Sequence, residues 1–191
     1  KNHPISSINE AINEGVLDFA ENKVQEAIKK FKILKESNNS IVLHMTGALQ
    51  TNKVKAALNI FDYFHTLDRE KLAKEFNKNL SNNVNLSNKN FFVQINTGNE
   101  LQKSGISINQ SLEFIRYCQF ELNLNVVGIM CIPPINDDPK IHFKKMSNIL
   151  IKSNLQFLSM GMSSDYKTAL DYGSTHIRIG TALFGNRKDA S

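Results

Sequence analysis

A chain of 191 residues can bury a full core, and hydrophobic and charged fractions of 41% and 21% are globular values. The net charge of +5 comes from lysines mixed with Asp and Glu, which excludes a concentrated basic groove and leaves a surface mildly attractive to anions. Cys118 and Cys131 form no CxxC pair, no apolar run reaches membrane-spanning length and no secretory signal is visible. The expectation is a cytoplasmic protein with neither membrane nor nucleic-acid partners.

Strand and helix patterns alternate along the chain. Residues 5–15, ISSINEAINEG, read as a helix closed by glycine. Residues 16–20, VLDFA, read as a strand; residues 21–34 read as an amphipathic helix with acid at its start and lysines at its end. The alternation continues with strand 41–45 and helix 51–61, then strand 63–67 and helix 69–80. Residues 81–90, SNNVNLSNKN, form a polar loop suited to local disorder. Strand 90–96 and helix 107–119 follow, then strand 125–132 and helix 139–153.

The segment 159–185 carries the most chemistry. Two apolar runs, QFLSM and HIRI, end in small, hydroxyl-bearing residues: Gly161, Ser163 and Ser164 after the first, Gly180 and Thr181 after the second. The helical pattern DYKTALDYG lies between them. In a β/α barrel the loops after the seventh and eighth strands build an anion site. Arg178, two residues before the second loop, adds a fixed positive charge. A phosphate site and an ordinary βαβ unit with small turn residues are equal readings of this segment alone.

The alternation gives about seven strands and opens on a helix. A (β/α)8 barrel needs one more strand before residue 1, so the expected architecture is an α/β TIM-like barrel, one domain over residues 1–191, whose first strand lies upstream. An open doubly wound sheet lacks its GxGxxG turn here. In the barrel register Lys1 stands at the C-terminal rim, facing the phosphate loops. A lysine there either contacts a phosphate directly or, with its pKa lowered, forms a Schiff base with an aldehyde such as pyridoxal 5′-phosphate (PLP).

At this point the chain resembles the pyridoxal phosphate homeostasis protein family, relatives of the N-terminal barrel of alanine racemase. KNHP stands where the family reads SKTKP, FAENKVQE where it reads FGENYVQE, and HMTGALQTNK where it reads HFIGxLQxNK. VQINTGNELQKSG, GIMCIPP, LSMGMSSDY and GSTHIRIGTALFG follow in the family's order over essentially the whole chain. Ala20 replaces a glycine, Thr46 an apolar residue and His3 a lysine.

The resemblance implies that Lys1 carries PLP as an internal aldimine and that Arg178 points at the pyridine nitrogen. The expected phosphate ligands are Ser163, Gly180 and Thr181. Asn22 and Asn52, just past the ends of two strands, are expected near the ring; Met160 is placed against the ring face, with a core position as the alternative. His44, inside a strand, reads as a structural histidine, and no His, Cys or Asp spacing suits a metal.

The function so implied is intracellular PLP homeostasis by a monomer without efficient turnover, with PLP and PLP-dependent apoenzymes as partners. The competing reading is an amino-acid racemase. It is disfavoured because racemases of this type take a tyrosine from a second domain, for which little chain follows Gly185.

Overall fold

The structure, a computed structural model, describes residues 3–83, 86, 88–100 and 102–185. Helix α1 (Ile5–Asn13) leads into β1 (Asp18–Glu21), then α2 (Val24–Ser37) and β2 (Val42–Met45). A 3₁₀ turn at Thr51–Lys53 opens into α3 (Val54–Leu58), followed by β3 (Tyr63–Leu67), α4 (Glu70–Ser81) and β4 (Asn90–Asn96). Next come a two-residue β5 (Ile106–Ser107), α5 (Ile108–Arg116), β6 (Val126–Met130) and α6 (Pro139–Ser153). The chain closes with β7 (Phe157–Met162), α7 (Tyr166–Asp171), β8 (His176–Arg178) and the single turn α8 (Thr181–Phe184).

Every strand pairing is parallel, and the main path runs β1-β2-β3-β4-β6-β7-β8, with β5 added beside β4. Helical crossovers between parallel neighbours dictate this sequential, singly wound order, which is a β/α barrel. The seven main strands of the sequence reading stand in their expected order. Among the described residues β1 and β8 are not paired with each other. A cavity of about 100 Å³ lies along their seam, between Asp18, Phe19 and Glu21 on one side and Ile179, Gly180 and Phe184 on the other.

Alternate strand residues face two different cores. The outward set packs under the helices: Phe64 of β3 and Phe91 of β4 form a trio with Phe76 of α4, ring centroids 4.8–5.4 Å apart, all fully buried. Each such aromatic pair adds roughly 0.5–1.5 kcal/mol beyond its burial. The inward set is unusually polar, with His44, His65 and Ser159 buried beside Phe92. Gly128 makes room inside, since a Cβ there would stand 2.3 Å from the Phe157 carbonyl oxygen and 2.6 Å from the Phe92 ring.

Three local readings change. Glu21 is the last residue of β1 and not the start of a helix; α2 begins at Val24. Its carboxylate is buried under α2 and paired with Lys30 at 2.8 Å, so an acid that mimics a helix start serves instead as a strand-to-helix strut. The region 51–61 is a 3₁₀ turn and a short α3, not one helix, and α5 runs on into a π-helical turn at Tyr117–Glu121. Of the polar loop 81–90, residues 84, 85 and 87 lie outside the described residues. No helix among the described residues is long and apolar enough to cross a membrane.

Candidate functional site

The C-terminal ends of β7 and β8 and the turns after them converge. Asp165 fixes the first turn by accepting the Met162 N–H on Oδ1 at 2.6 Å. That turn presents the Ser163 hydroxyl to the second one, where the backbone N–H groups of Gly180 and Ala182 both donate to Ser163 Oγ at 3.4 Å. Both bonds are long, so the two donors are only loosely held and can turn to a stronger acceptor. A Cβ on Gly180 would meet nothing within 4 Å, so the space beside this backbone is open. Thr181, exposed, is the first residue of α8.

Arg178, at the end of β8, turns into the barrel. Its Nη1 donates to Ser159 Oγ at 2.8 Å and its Nη2 to the Cys131 carbonyl at 2.9 Å. Burial lowers the guanidinium pKa, with the Asp165 carboxylate acting in the opposite direction. Burial also pushes the Cys131 thiol up to about 12, which leaves it an uncharged neighbour at neutral pH.

Below Arg178 lies a cluster of imidazoles. His65 bonds Ser159 Oγ through Nδ1 at 2.9 Å and His44 Nδ1 through Nε2 at 2.9 Å; His44 Nε2 reaches Asp18 at 3.1 Å. Burial lowers the pKa of His44 and, to a greater degree, of His65, where the charges of His44 and Arg178 add to the effect. His44 is thus a buried strand residue inside a hydrogen-bonded network.

Asn22 lies just past β1, where its Oδ1 accepts the Thr46 hydroxyl at 2.9 Å. Gly47 packs against it so closely that a Cβ would fall 2.3 Å from the Asn22 carbonyl oxygen. Asn52 is exposed on the 3₁₀ turn. Met160 is fully buried in the core under the helices, the second of the two places it was given on sequence; Met162, partly exposed, ends β7. The loop after β4 is closed by Asn96, which donates to the Glu100 carbonyl at 2.8 Å and accepts the Glu100 N–H at 3.2 Å. Lys1 lies outside the described residues. Among the described residues, no three His, Cys, Asp or Glu side chains group as metal ligands.

The structure therefore brings together Ser163 and Gly180, next to the register pair Met162–Arg178, while the Arg178 side chain turns inward to Ser159; Thr181 follows on the same turn. Sequence reasoning missed Ser159 and the Cys131 carbonyl as partners of Arg178, and His65 as a partner of Ser159. A signal was present: Ser159, His44 and His65 each follow an apolar residue inside strands too buried to show polar groups to water.

The family described as "Alanine racemase, N-terminal domain" matches residues 1–188. Pyridoxal phosphate homeostasis proteins of Pasteurella multocida and Aquifex aeolicus are each 35% identical over 98% of this chain, which spans 84% and 85% of theirs. The chain belongs to this pyridoxal phosphate homeostasis family of alanine racemase N-terminal domains. Among solved structures, PipY of Synechococcus elongatus without PLP superposes with a TM-score of 0.86 at 31% identity, over 96% of this chain and 89% of that one. The PLP-bound form of PipY gives 0.84 at 30% identity, over 97% and 89%. Alanine racemase of Corynebacterium glutamicum shares the fold, with a TM-score of 0.72 at 17% identity, and this chain covers 54% of it.

The family's cofactor can be tested against the residues present. PLP offers a dianionic phosphate and a pyridine nitrogen. The loosely held N–H groups of Gly180 and Ala182, the Ser163 hydroxyl and the open flank of Gly180 suit the first, and the half-buried guanidinium of Arg178 suits the second. The residues fit.

Proposed function

We propose that this protein binds PLP at the C-terminal end of its barrel and serves PLP homeostasis in the cytoplasm as a single-domain monomer. The observation that carries the reading is the meeting of the Gly180 and Ala182 N–H groups at Ser163 Oγ, within four residues of Arg178. Ser163 and the backbone of Gly180 and Ala182 hold the phosphate, with Thr181 adding its hydroxyl. Asn22, braced by Thr46 and Gly47, and Asn52 border the ring from the opposite strands. Lys1 supplies the amine that holds the cofactor's aldehyde; this rests on its place in the family motif.

PLP, when bound, supplies an electron sink whose strength depends on protonation of its ring nitrogen. Arg178 does not give up its proton readily, so it donates a hydrogen bond to that nitrogen and leaves it unprotonated. The protein thus holds PLP, and passes it to PLP-dependent apoenzymes, without efficient turnover of amino acids. PipY, solved with PLP bound at 30% identity, supports the cofactor assignment.

The test is a PLP titration of the wild type beside Ser163→Ala and Thr181→Val. Losing one charge-assisted hydrogen bond of about 1.5–3 kcal/mol weakens retention roughly tenfold or more. Unchanged affinity in both variants would reject this phosphate site.

A further inference from the structure

The polar interior of the barrel forms one continuous line, Arg178–Ser159–His65–His44–Asp18, with contacts of 2.8, 2.9, 2.9 and 3.1 Å. Its carboxylate end determines its direction. An arginine can only donate, and an ionised carboxylate can only accept. Starting from Asp18, which only accepts, a neutral His44 holds its hydrogen on Nε2 and leaves Nδ1 to accept from His65 Nε2–H. His65 Nδ1 is then unprotonated and accepts the Ser159 hydroxyl, whose oxygen receives the Arg178 N–H. With both imidazoles neutral, Ser159, His65 and His44 each donate once and accept once along the line between the donor Arg178 and the acceptor Asp18.

The rings are also clamped. His65 stacks on Phe92 with centroids 4.2 Å apart and planes 10° apart, and His44 on Tyr63 at 4.7 Å and 13°. Stacking blocks one face of each ring and leaves the nitrogens to point only along the line. His65 and Ser159 are almost wholly buried, so water does not compete for these bonds. Protonation of His44 would place two donors in its contact with His65, and protonation of His65 would turn the Ser159 hydroxyl hydrogen out of the line; burial opposes both, as does the positive charge of Arg178 at His65.

We infer that His65 is a positioning residue for Arg178. Acting through Ser159, and backed by His44 and Asp18, it holds the guanidinium at one orientation before any ligand arrives. With Nη1 tied to Ser159 and Nη2 to the Cys131 carbonyl, the remaining N–H groups of Arg178 are presented in a fixed direction. What those groups meet rests on the PLP reading above; the line and its direction do not.

Two measurements test it. Side-chain ¹⁵N spectra of histidine-labelled protein at neutral pH should show His44 and His65 both neutral, with hydrogen on Nε2. A Nδ1–H tautomer or an imidazolium at either site would overturn the inference, whether or not PLP binds. The second compares His65→Leu, which fills the site without polar atoms, with His65→Gln, whose carbonyl can accept from Ser159 and whose amide can donate to His44. In PLP-loaded protein, His65→Leu should shift the cofactor's absorbance band and its pH dependence, and His65→Gln should restore both. Ser159→Ala, which cuts the line at Arg178 itself, should reproduce the shift and stands in if the leucine variant does not fold. A folded His65→Leu or Ser159→Ala with the wild-type spectrum contradicts the positioning role. A wild type that takes up no PLP rejects the cofactor reading instead, and the tautomers alone then decide this inference.

Discussion

Arg178, in the last strand, donates to the hydroxyl of Ser159 in the strand beside it at 2.8 Å, and the same hydroxyl bonds His65 on the far side of the barrel. The arginine nearest the proposed ligand is thereby tied to the barrel interior. The stability of the interior and the aim of the site become one property, with measurable consequences.

The first concerns pH. Burial holds the pKa of His44, His65 and His176 below the ordinary imidazole value of about 6.5. With folded values lowered, the unfolded chain takes up these protons first on acidification. The stability they permit is complete above about pH 6.5 and is lost as pH falls from there toward the folded values. Thermal melts from about pH 7.5 down to about pH 5 should show a falling Tm, with a shallower fall in His65→Gln. A Tm independent of pH over that range would contradict the neutral interior.

The second concerns Gly47. A methyl group there meets the Asn22 carbonyl oxygen at 2.3 Å and its Cα at 2.7 Å, backbone atoms that cannot swing aside. Gly47→Ala should lower stability by roughly 1–3 kcal/mol in urea melts and displace Asn22, weakening PLP binding as well. An unchanged midpoint would show that this contact is not tight.

The third concerns the strut between β1 and α2. Glu21 and Lys30 pair at 2.8 Å with side chains 3% and 16% exposed. Lys30→Met strands a buried carboxylate and should cost about 3–5 kcal/mol, whereas Lys30→Met combined with Glu21→Leu should recover most of the loss. Equal stability of the single variant and the wild type would refute the pairing.

The fourth concerns turnover. In the proposed reading Arg178 meets the pyridine nitrogen of PLP and leaves it unprotonated, which makes the cofactor a poor electron sink. Holoprotein incubated with a panel of L-amino acids should racemise or deaminate each of them far more slowly than about 1 s⁻¹. A rate at or above that for any of them would favour an enzyme.

Much of the fold was legible because its signals are local. The strands Tyr63–Leu67 and Asn90–Asn96 and the helix Pro139–Ser153 stand where hydrophobic period and caps place them. Glu21 misled because an acid before an amphipathic run looks the same whether it opens a helix or ends a strand; only its burial against Lys30, nine residues on, separates the two. The small and hydroxyl residues of the turns after β7 and β8 suited an anion site and an ordinary βαβ unit equally on sequence, and the structure adds the convergence of two N–H groups on Ser163. The interior line was not legible. Its bonds join residues up to 94 positions apart, and no local pattern encodes which inward-facing polar groups will meet.

The central claim is that Lys1 holds PLP. It is tested most directly by reducing PLP-loaded protein with borohydride, digesting it and locating the modified residue by mass spectrometry, in protein expressed with its native flanking sequence. The account predicts a pyridoxyl group on the Lys1 side chain, absent from Lys1→Ala together with the visible absorbance of the bound cofactor. A pyridoxyl group on another residue, or none on any, would contradict it.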